Sequence, residues 1–239
     1  MIKIDYKLYK PTLDSLTPQQ QILYNRDIPV EEQTNWLDAD ILYSWKLLGE
    51  TKMVDACKML YKHIKNNSDI FIPIDSDLDG WCSSAILINY LYKLYPDFTQ
   101  KHVFWKHHTG KQHGLADMIN EMPSNMDFVI VTDAGSNDTE EHKILQQKGI
   151  ECLVLDHHNV SVDIKDSPAL IINVQESDYP NKFLTGGGIT FKFCEAYNEI
   201  VCSGKQSPDW LFDLCAIANI GDMADYHNLE IRSMVRRLQ

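Results

Sequence analysis

The stretch that decides the fold is Ile70-Phe-Ile-Pro-Ile-Asp75-Ser-Asp77-Leu-Asp79-Gly80, in which an apolar run ends in three aspartates and a glycine. The run 70–74 is short, apolar and rich in isoleucine, which predicts a buried strand. Residues 81–95 then place apolar side chains at helical spacing, which predicts a helix. Three carboxylates so close together repel one another unless cations lie between them. The stretch therefore indicates a site for divalent cations that prefer oxygen ligands, such as Mg²⁺, Mn²⁺ or Ca²⁺.

The same pattern returns twice along the chain. The apolar run from Phe128 ends in Asp133, and the run from Cys152 ends in Asp156-His157-His158. The carboxyl ends of parallel strands line one edge of an open sheet, so we expect the three clusters to face one crevice. A fourth acidic segment, Gly221-Asp222-Met-Ala-Asp225, follows an apolar helical run and is expected to close the crevice from another side.

The remaining patterns predict an α/β fold with an open, mainly parallel sheet flanked by helices. Further strands are predicted at 102–105 and 169–174, and a helix at 189–200. Residues 1–60 have helical patterns, with Thr17-Pro18 and Thr51 as predicted helix starts. Asn137, Asp138 or Thr139 is expected to cap the helix after Asp133. We interpret residues 1–60 as a helical N-terminal extension packed on the core, and residues 61–239 as the domain that carries the site.

The four motifs also carry a family resemblance. Asp75-x-Asp77-x-Asp79-Gly80, the isolated Asp133, Asp156-His157-His158 and Ala224-Asp225 resemble, in the same order, the motifs of the DHH phosphoesterases. Within that superfamily the chain resembles the RecJ-type single-strand exonucleases, through residues 179–192 and the lead-in at 21–28. The second, DHH-associated domain of such proteins is not expected within these residues. The chain is then expected to be part of a longer protein, or a compact form whose partner supplies the other wall of the cleft.

The resemblance implies a two-metal site for phosphodiester hydrolysis, with Mn²⁺ preferred because imidazole lies among the carboxylates and Mg²⁺ as the other candidate. His158 is the expected phosphate contact. Asp222 stands where a threonine is usual, so it is expected to be a ligand, a water-orienting base or a bystander. Asp75 and Asp156 are expected to be ligands or partners of ligands. The complete set of expected metal ligands is Asp75, Asp77, Asp79, Asp133, Asp156, His157 and Asp225.

Two further segments are candidate substrate contacts. One is the loop after the second strand, and the other is the glycine run that opens the helix at 189–200; backbone amides at such a helix start can bind a phosphate. An ordinary polar loop and a tight turn are the plainer alternatives. The candidate substrate-binding residues are His107, His108, Lys111, His113, Gly187 and Gly188.

Composition limits the class of protein. With 44% hydrophobic residues and no apolar run long enough to span a membrane, the composition is typical of a globular protein, and the absence of a signal-like start predicts a cytoplasmic location. Six cysteines without a C-x-x-C pair favour buried thiols over zinc ligands or disulfides. The formal charge of −12 argues against a general polyanion binder. A nucleic acid would have to be held by a local groove and by the metal ions.

We therefore predict a metal-dependent exonuclease that degrades single-stranded DNA from 5′ to 3′, with a role in DNA repair and recombination. One alternative is a DHH phosphoesterase that acts on short oligonucleotides, cyclic dinucleotides or pyrophosphate. The other is a non-catalytic module of a replication or repair complex. Such a module is expected to lose site carboxylates, whereas the core positions are all present here.

Overall fold

The structure, a computed structural model, describes residues 10–109 and 113–238 of the chain. Two compact units divide between Ile41 and Leu42. This division lies before the boundary expected at residue 60, because the helix that carries Met53 and Leu60 packs in the core of the larger unit. The assignment of separate functional domains stays a prediction.

The described part of the smaller unit contains two α-helices, α1 (Pro18–Asn25) and α2 (Gln33–Leu37). Thr17 caps α1 through a capping box with Gln20, and Pro18 is the first helical residue, so the predicted start at Thr17-Pro18 is confirmed. The side-chain amide of Gln33 donates hydrogen bonds to the carbonyl groups of Gln20 and Ile28. These bonds join the two helices.

The larger unit is built on a five-stranded parallel sheet, which confirms the α/β prediction. The strands are β1 (Ile70–Ile74), β2 (Val103–His107), β3 (Phe128–Thr132), β4 (Glu151–Asp156) and β5 (Leu170–Asn173), in the order β2-β1-β3-β4-β5. β2 runs two residues further than predicted, since it pairs with β1 as far as the Ile74–His107 pair. His107 is therefore a strand residue.

Eight helices of the described residues surround this sheet. They are α3 (Glu50–Lys65), α4 (Leu78–Leu94), α5 (Pro96–His102), α6 (Met118–Glu121), α7 (Thr139–Gln147), α8 (Gly186–Ile200), α9 (Phe212–Gly221) and α10 (Leu229–Arg236). α3 begins at Glu50 after Gly49, which has a left-handed φ of 106°, so the expected cap at Thr51 is wrong: Thr51 lies inside the helix. Asp138 occupies the N-cap position of α7 without a side-chain hydrogen bond to the helix. No helix of the described segments is long and apolar enough to cross a membrane.

Both faces of the sheet are covered, as in other parallel sheets. Ile70 and Ile72 of β1 lie in a core shared with α3, α4 and α8. Phe71 points to the opposite face, in a second core with residues of α6 and α7. Because successive strand residues alternate between faces, the buried interiors of β1, β3, β4 and β5 are continuous apolar runs, whereas the edge strand β2 is largely exposed and contains Lys106. In the four buried strands, polar side chains lie at the strand ends.

The order of the strands places the site. β1 connects to β2 on one side and β3 connects to β4 on the other, so the connections that leave the adjacent strands β1 and β3 lie on opposite faces of the sheet. In an open α/β sheet of this order, ligands bind in the crevice at this switch between β1 and β3. Asp75 directly follows β1 and Asp133 directly follows β3. The fold therefore brings the first two acidic motifs to the same crevice.

Candidate metal centre

The turn after β1 positions Asp75 and Asp77 through local hydrogen bonds. Asp75 is buried and accepts from the Ser76 amide at 2.7 Å and from His113 Nδ1 at 2.5 Å. Asp77 is exposed and caps α4, since its Oδ1 accepts from the Gly80 amide at 2.8 Å. A side chain at Gly80 would collide with Asp75, 2.4 Å from its Cβ, so the turn requires glycine. The DxDxDG pattern thus encodes both a helix start and the placement of its carboxylates.

Asp79 joins this turn to the start of α8. Its two carboxylate oxygens accept hydrogen bonds from the amides of Gly186 (2.7 Å) and Gly187 (2.8 Å). A buried carboxylate is stabilised there by the positive end of the helix dipole. Each oxygen retains a second lone pair that can bind a cation.

Asp133 turns the chain out of β3 in a left-handed conformation, with φ of 68°. It is fully buried, and its Oδ1 has no hydrogen-bond partner among the described residues. His157 Nε2 lies 3.1 Å from this oxygen, but not in the geometry of a hydrogen bond. Burial, followed by the charges of Asp79, Asp77 and Asp156, raises the pKa of Asp133 well above its usual value. An orphaned carboxylate oxygen among like charges is an environment that fits a cation.

Asp156 organises the two histidines that follow β4. Its Oδ1 accepts from the amides of His157 and His158 and from His158 Nδ1 (2.8 Å), and its Oδ2 accepts from the Ser136 amide. Burial alone would raise the pKa of Asp156, but the bonds from His158 and Ser136 outweigh it and hold the pKa below its usual value. The hydrogen bond to Asp156 in turn raises the pKa of His158. Asp156 is thus a partner of the histidines.

The last acidic segment splits into two different positions. Asp222 ends α9 and its Oδ2 lies 3.9 Å from His157 Nδ1. Burial raises the pKa of Asp222, with further contributions from the charges of Asp79 and Asp77 that His157 opposes. Asp225 instead accepts from the amide and Nδ1 of His227, both at 2.8 Å. Its expected role as a metal ligand stays a prediction that this arrangement does not support.

Three sets of side chains bring their ligand atoms within 4.8 Å of one another in the described residues. Asp133 belongs to two of these sets and His157 to two, so the sets adjoin. Oxygen ligands with one or two imidazoles suit Mn²⁺ or Mg²⁺. The sets are Asp75, Asp77 and Asp133; Asp133, His157 and His158; and Asp79, His157 and Asp222. Of the expected ligands, Asp156 and Asp225 lie outside them.

The expected substrate contacts have mixed outcomes. His107 is exposed and its ring lies 5.4 Å from that of Trp81, whereas His108 is buried and bonds through Nε2 to the Gly114 carbonyl. His113 reaches Asp75 at the crevice. Lys111 lies outside the described residues.

The glycine run before α8 faces inward. Gly187 donates its amide to Asp79, and the Gly188 amide faces the Thr185 hydroxyl at 3.5 Å. Both residues are buried, so substrate contact at Gly187 and Gly188 is not supported. The anion that these helix-start amides bind is Asp79.

Residues that the sequence analysis did not single out fix the loop behind the histidines. Asn173, at the end of β5, donates to the carbonyl of His158 at 2.9 Å and to the Ser136 hydroxyl at 2.8 Å. Gln175 donates to the carbonyl of His157 at 3.0 Å. The signal for Asn173 is its position, because it is another polar residue at the carboxyl end of an apolar strand. Nothing local marks Gln175.

Comparisons with known proteins agree with this geometry. The family model described as DHH family, N-terminal domain matches residues 69–218. This chain belongs to the DHH family. The resemblance drawn from the four motifs is thereby confirmed.

Relatives of this DHH chain are single-strand exonucleases by name. The protein named Putative SPbeta prophage-derived single-strand DNA-specific exonuclease YorK, of Bacillus subtilis strain 168, is 36% identical over 96% of this chain and 38% of its own length. The single-stranded-DNA-specific exonuclease RecJ of the same strain is 28% identical over 80% of this chain and 23% of its own length. The DHH chain thus spans well under half of these relatives.

A solved structure shares the fold. RecJ from Thermus thermophilus, in complex with Mn²⁺, matches with a TM-score of 0.69 at 23% identity, over 92% of this chain and 30% of that chain. At this identity the match establishes the fold of the DHH domain.

Proposed function

We propose that this chain is the catalytic part of a metal-dependent phosphodiester hydrolase that degrades single-stranded DNA from its 5′ end. The observation that carries the proposal is the buried Oδ1 of Asp133, which has no hydrogen-bond partner among the described residues and belongs both to a set of carboxylates and to a set that contains His157. The names of the relatives support single-stranded DNA as the substrate class.

Two divalent ions fit the adjoining sets of side chains. Asp75, Asp77 and Asp133 would hold one ion, and Asp79, His157 and Asp222 would hold the other. When bound, the ions polarise the phosphoryl oxygens and stabilise the leaving oxygen. Mn²⁺ is the proposed ion, because its affinity for imidazole nitrogen exceeds that of Mg²⁺.

The residues around the ions orient the phosphate. Asp156 fixes Nδ1 of His158, so Nε2 is the nitrogen directed to a substrate. The hydrogen bond that Nδ1 donates to Asp156 raises the pKa of His158, and the protonated ring can donate a second hydrogen bond from Nε2 to a phosphate oxygen. Asn173 and Gln175 hold the carbonyl groups of both histidines and keep this orientation.

A substrate panel tests the proposal. The protein is incubated with Mn²⁺ and 5′-labelled or 3′-labelled single strands, a duplex, a dinucleotide or pyrophosphate, with Asp133→Asn as the control for contaminating nucleases. Stepwise release of mononucleotides from the 5′ end of single strands is the expected result. Turnover of the dinucleotide alone would mean that the substrates are short oligonucleotides and not single-stranded DNA. Binding of single strands without any turnover would reject an enzyme and support a binding module.

A further inference from the structure

A second buried carboxylate, outside the metal centre, connects the segments that lead to it. Glu230 lies in the first turn of α10 and is fully buried. Its Oε1 accepts from the Tyr43 amide at 2.8 Å and from the Tyr179 hydroxyl at 2.7 Å. Its Oε2 accepts from the side-chain amide of Asn181 at 3.0 Å. All three donors are uncharged, so these hydrogen bonds satisfy the buried carboxyl group of Glu230.

One path from Glu230 leads to the start of α8. The side-chain oxygen of Asn181 accepts from the Phe183 amide at 3.0 Å, and its backbone carbonyl accepts from the Leu184 amide. The next residue, Thr185, caps α8. The two amides that follow, at Gly186 and Gly187, are those that bind Asp79. Asn181 therefore fixes the turn before α8, and this turn sets the direction of the Gly186 and Gly187 amides.

The other path leads from Glu230 to Asp222. Asn228 caps α10 by accepting from the Glu230 amide at 2.9 Å, and its own amide donates to the Asp225 carbonyl. The short segment between Asp222 and Asn228 is therefore anchored at the α10 end. Glu230 is thus linked through its side-chain carboxylate to the segment that leads to Asp79, and through its backbone amide to the segment that leads back to Asp222.

We propose that Glu230 is a positioning residue that sets the distance between the start of α8 and the end of α9, and so the geometry of Asp79 and Asp222. The proposal rests on the proposed function, since Asp79 and Asp222 are ligands only there. Glu230 does not contact the substrate or the ions. It acts through Asn181 on one side and through the start of α10 on the other.

Glu230→Gln tests the link to Asn181 by reversing one hydrogen-bonding group. If the oxygen of the introduced glutamine keeps the two bonds of Oε1, its NH₂ group faces the NH₂ group of Asn181, and two donors cannot bond. A flip of Asn181 would satisfy the glutamine but remove the acceptor of the Phe183 amide. Adding Asn181→Asp restores both bonds, because an aspartate accepts from the NH₂ group of the introduced glutamine and from the Phe183 amide. The double variant also keeps the net charge of the parent.

The main measurement is amide hydrogen exchange of Gly186 and Gly187 by NMR in the metal-free protein, with Mn²⁺ affinity by calorimetry as the second. Losing one buried hydrogen bond changes an equilibrium by about tenfold or more. Glu230→Gln is expected to speed exchange at both glycines and to weaken Mn²⁺ binding by about that factor, and the double variant to recover most of both. Tyr179→Phe removes one hydrogen-bond donor from Oε1 and is the milder second variant. If Glu230→Gln does not fold, the same two measurements are made on Tyr179→Phe, with changes expected in the same direction.

Leu145→Ala is the matched control. Leu145 is buried in α7, in the core on the other face of the sheet, so its loss lowers stability without touching either path. At a temperature well below the melting temperatures of Leu145→Ala and of the parent, the variant should show amide exchange at Gly186 and Gly187 and an affinity for Mn²⁺ close to those of the parent. Equal effects in Leu145→Ala and Glu230→Gln, or no effect in Glu230→Gln, would overturn the proposal. A parent that hydrolyses no phosphodiester but shows the predicted exchange pattern would reject the proposed function alone.

Discussion

Among single residues, Asp133 combines backbone strain, burial and charge repulsion at one position. Its φ of 68° lies in the left-handed region, which is uncommon for residues other than glycine although aspartate tolerates it better than most, and its buried Oδ1 has no hydrogen-bond partner in the part of the chain that the structure describes. The raised pKa of this carboxyl shows that burial and the neighbouring aspartates disfavour its charged form. Strain concentrated in this way is common at functional sites, where it is offset elsewhere in the fold.

We expect Asp133→Asn to melt higher than the parent when both are metal-free. Asparagine tolerates the left-handed conformation, carries no charge, and can donate a hydrogen bond to Asp79. A gain of about 1 kcal/mol corresponds to about 2–4 °C for a chain of this size. Calorimetry with and without Mn²⁺ should show that the metal raises the melting temperature less in the variant than in the parent. An activity assay should show loss of nearly all hydrolysis in the variant. A metal-free variant that melts clearly below the parent would mean that Asp133 has a structural role and would count against the shared crevice.

Substitutions of the two adjacent histidines should have different effects. His157 contacts both Asp133 and Asp222 through its ring nitrogens, whereas His158 is bonded to Asp156. His157→Ala should therefore lose metal occupancy, and His158→Ala should keep the metal but lose turnover. Metal analysis of the purified variants, alongside rate measurements, distinguishes them. The reverse pattern would exchange the proposed roles.

Asp222 and Asp225 provide a second matched pair. Asp222→Asn should weaken Mn²⁺ binding and activity by about tenfold or more, because it removes a charged ligand beside His157. Asp225→Asn should change both much less, since the Asp225 carboxylate is engaged by His227. Calorimetric titration with Mn²⁺ measures the difference. A larger loss of Mn²⁺ affinity and activity in Asp225→Asn than in Asp222→Asn would support Asp225 as the metal ligand that the family resemblance implies.

At the level of elements, the ends of helices position the carboxylates of the site. Asp77 caps α4, the amides at the start of α8 bind Asp79, and Asp222 is the C-cap residue of α9. The start of α8 also requires glycine, because a Cβ at Gly186 would lie 2.4 Å from the Cβ of Asp133. The apolar periodicity predicted these helices well. Their partners could not be predicted, since the bond from Gly186 to Asp79 joins residues far apart in sequence.

The end of α9 offers a prediction about stability. Met223 follows Asp222 with a left-handed φ of 52°, a position that favours glycine after a helix, and its side chain is 86% exposed. Met223→Gly should therefore raise the free energy of unfolding by about 0.5–1 kcal/mol. Met223→Ala is the control, because alanine loses the same side chain but keeps the strained φ. Denaturant unfolding that shows equal stability for both variants would assign the effect to the side chain.

Across the whole molecule, repulsion among the site carboxylates couples metal binding to stability. A ligand at about 100 times its dissociation constant adds about 2.7 kcal/mol. Saturating Mn²⁺ should therefore raise the melting temperature by several degrees, and Mn²⁺ should support faster hydrolysis than Mg²⁺, with Ca²⁺ inactive. Thermal melts and rates with each ion check this. Equal rates with Mg²⁺ and Mn²⁺ would argue against His157 as a ligand.

Residue types and their spacing were enough to predict the sheet, because buried parallel strands must be continuous apolar runs and each run here ends in a polar motif. They were also enough to predict that the motifs after β1, β3 and β4 meet, since the carboxyl ends of parallel strands share one edge. Tertiary contacts were needed to establish which groups meet there. They place Asp222 at His157 and Asp225 at His227, and they turn the amides of Gly186 and Gly187 toward Asp79. These pairings depend on contacts between distant segments and on the geometry of turns, which residue type and spacing do not encode.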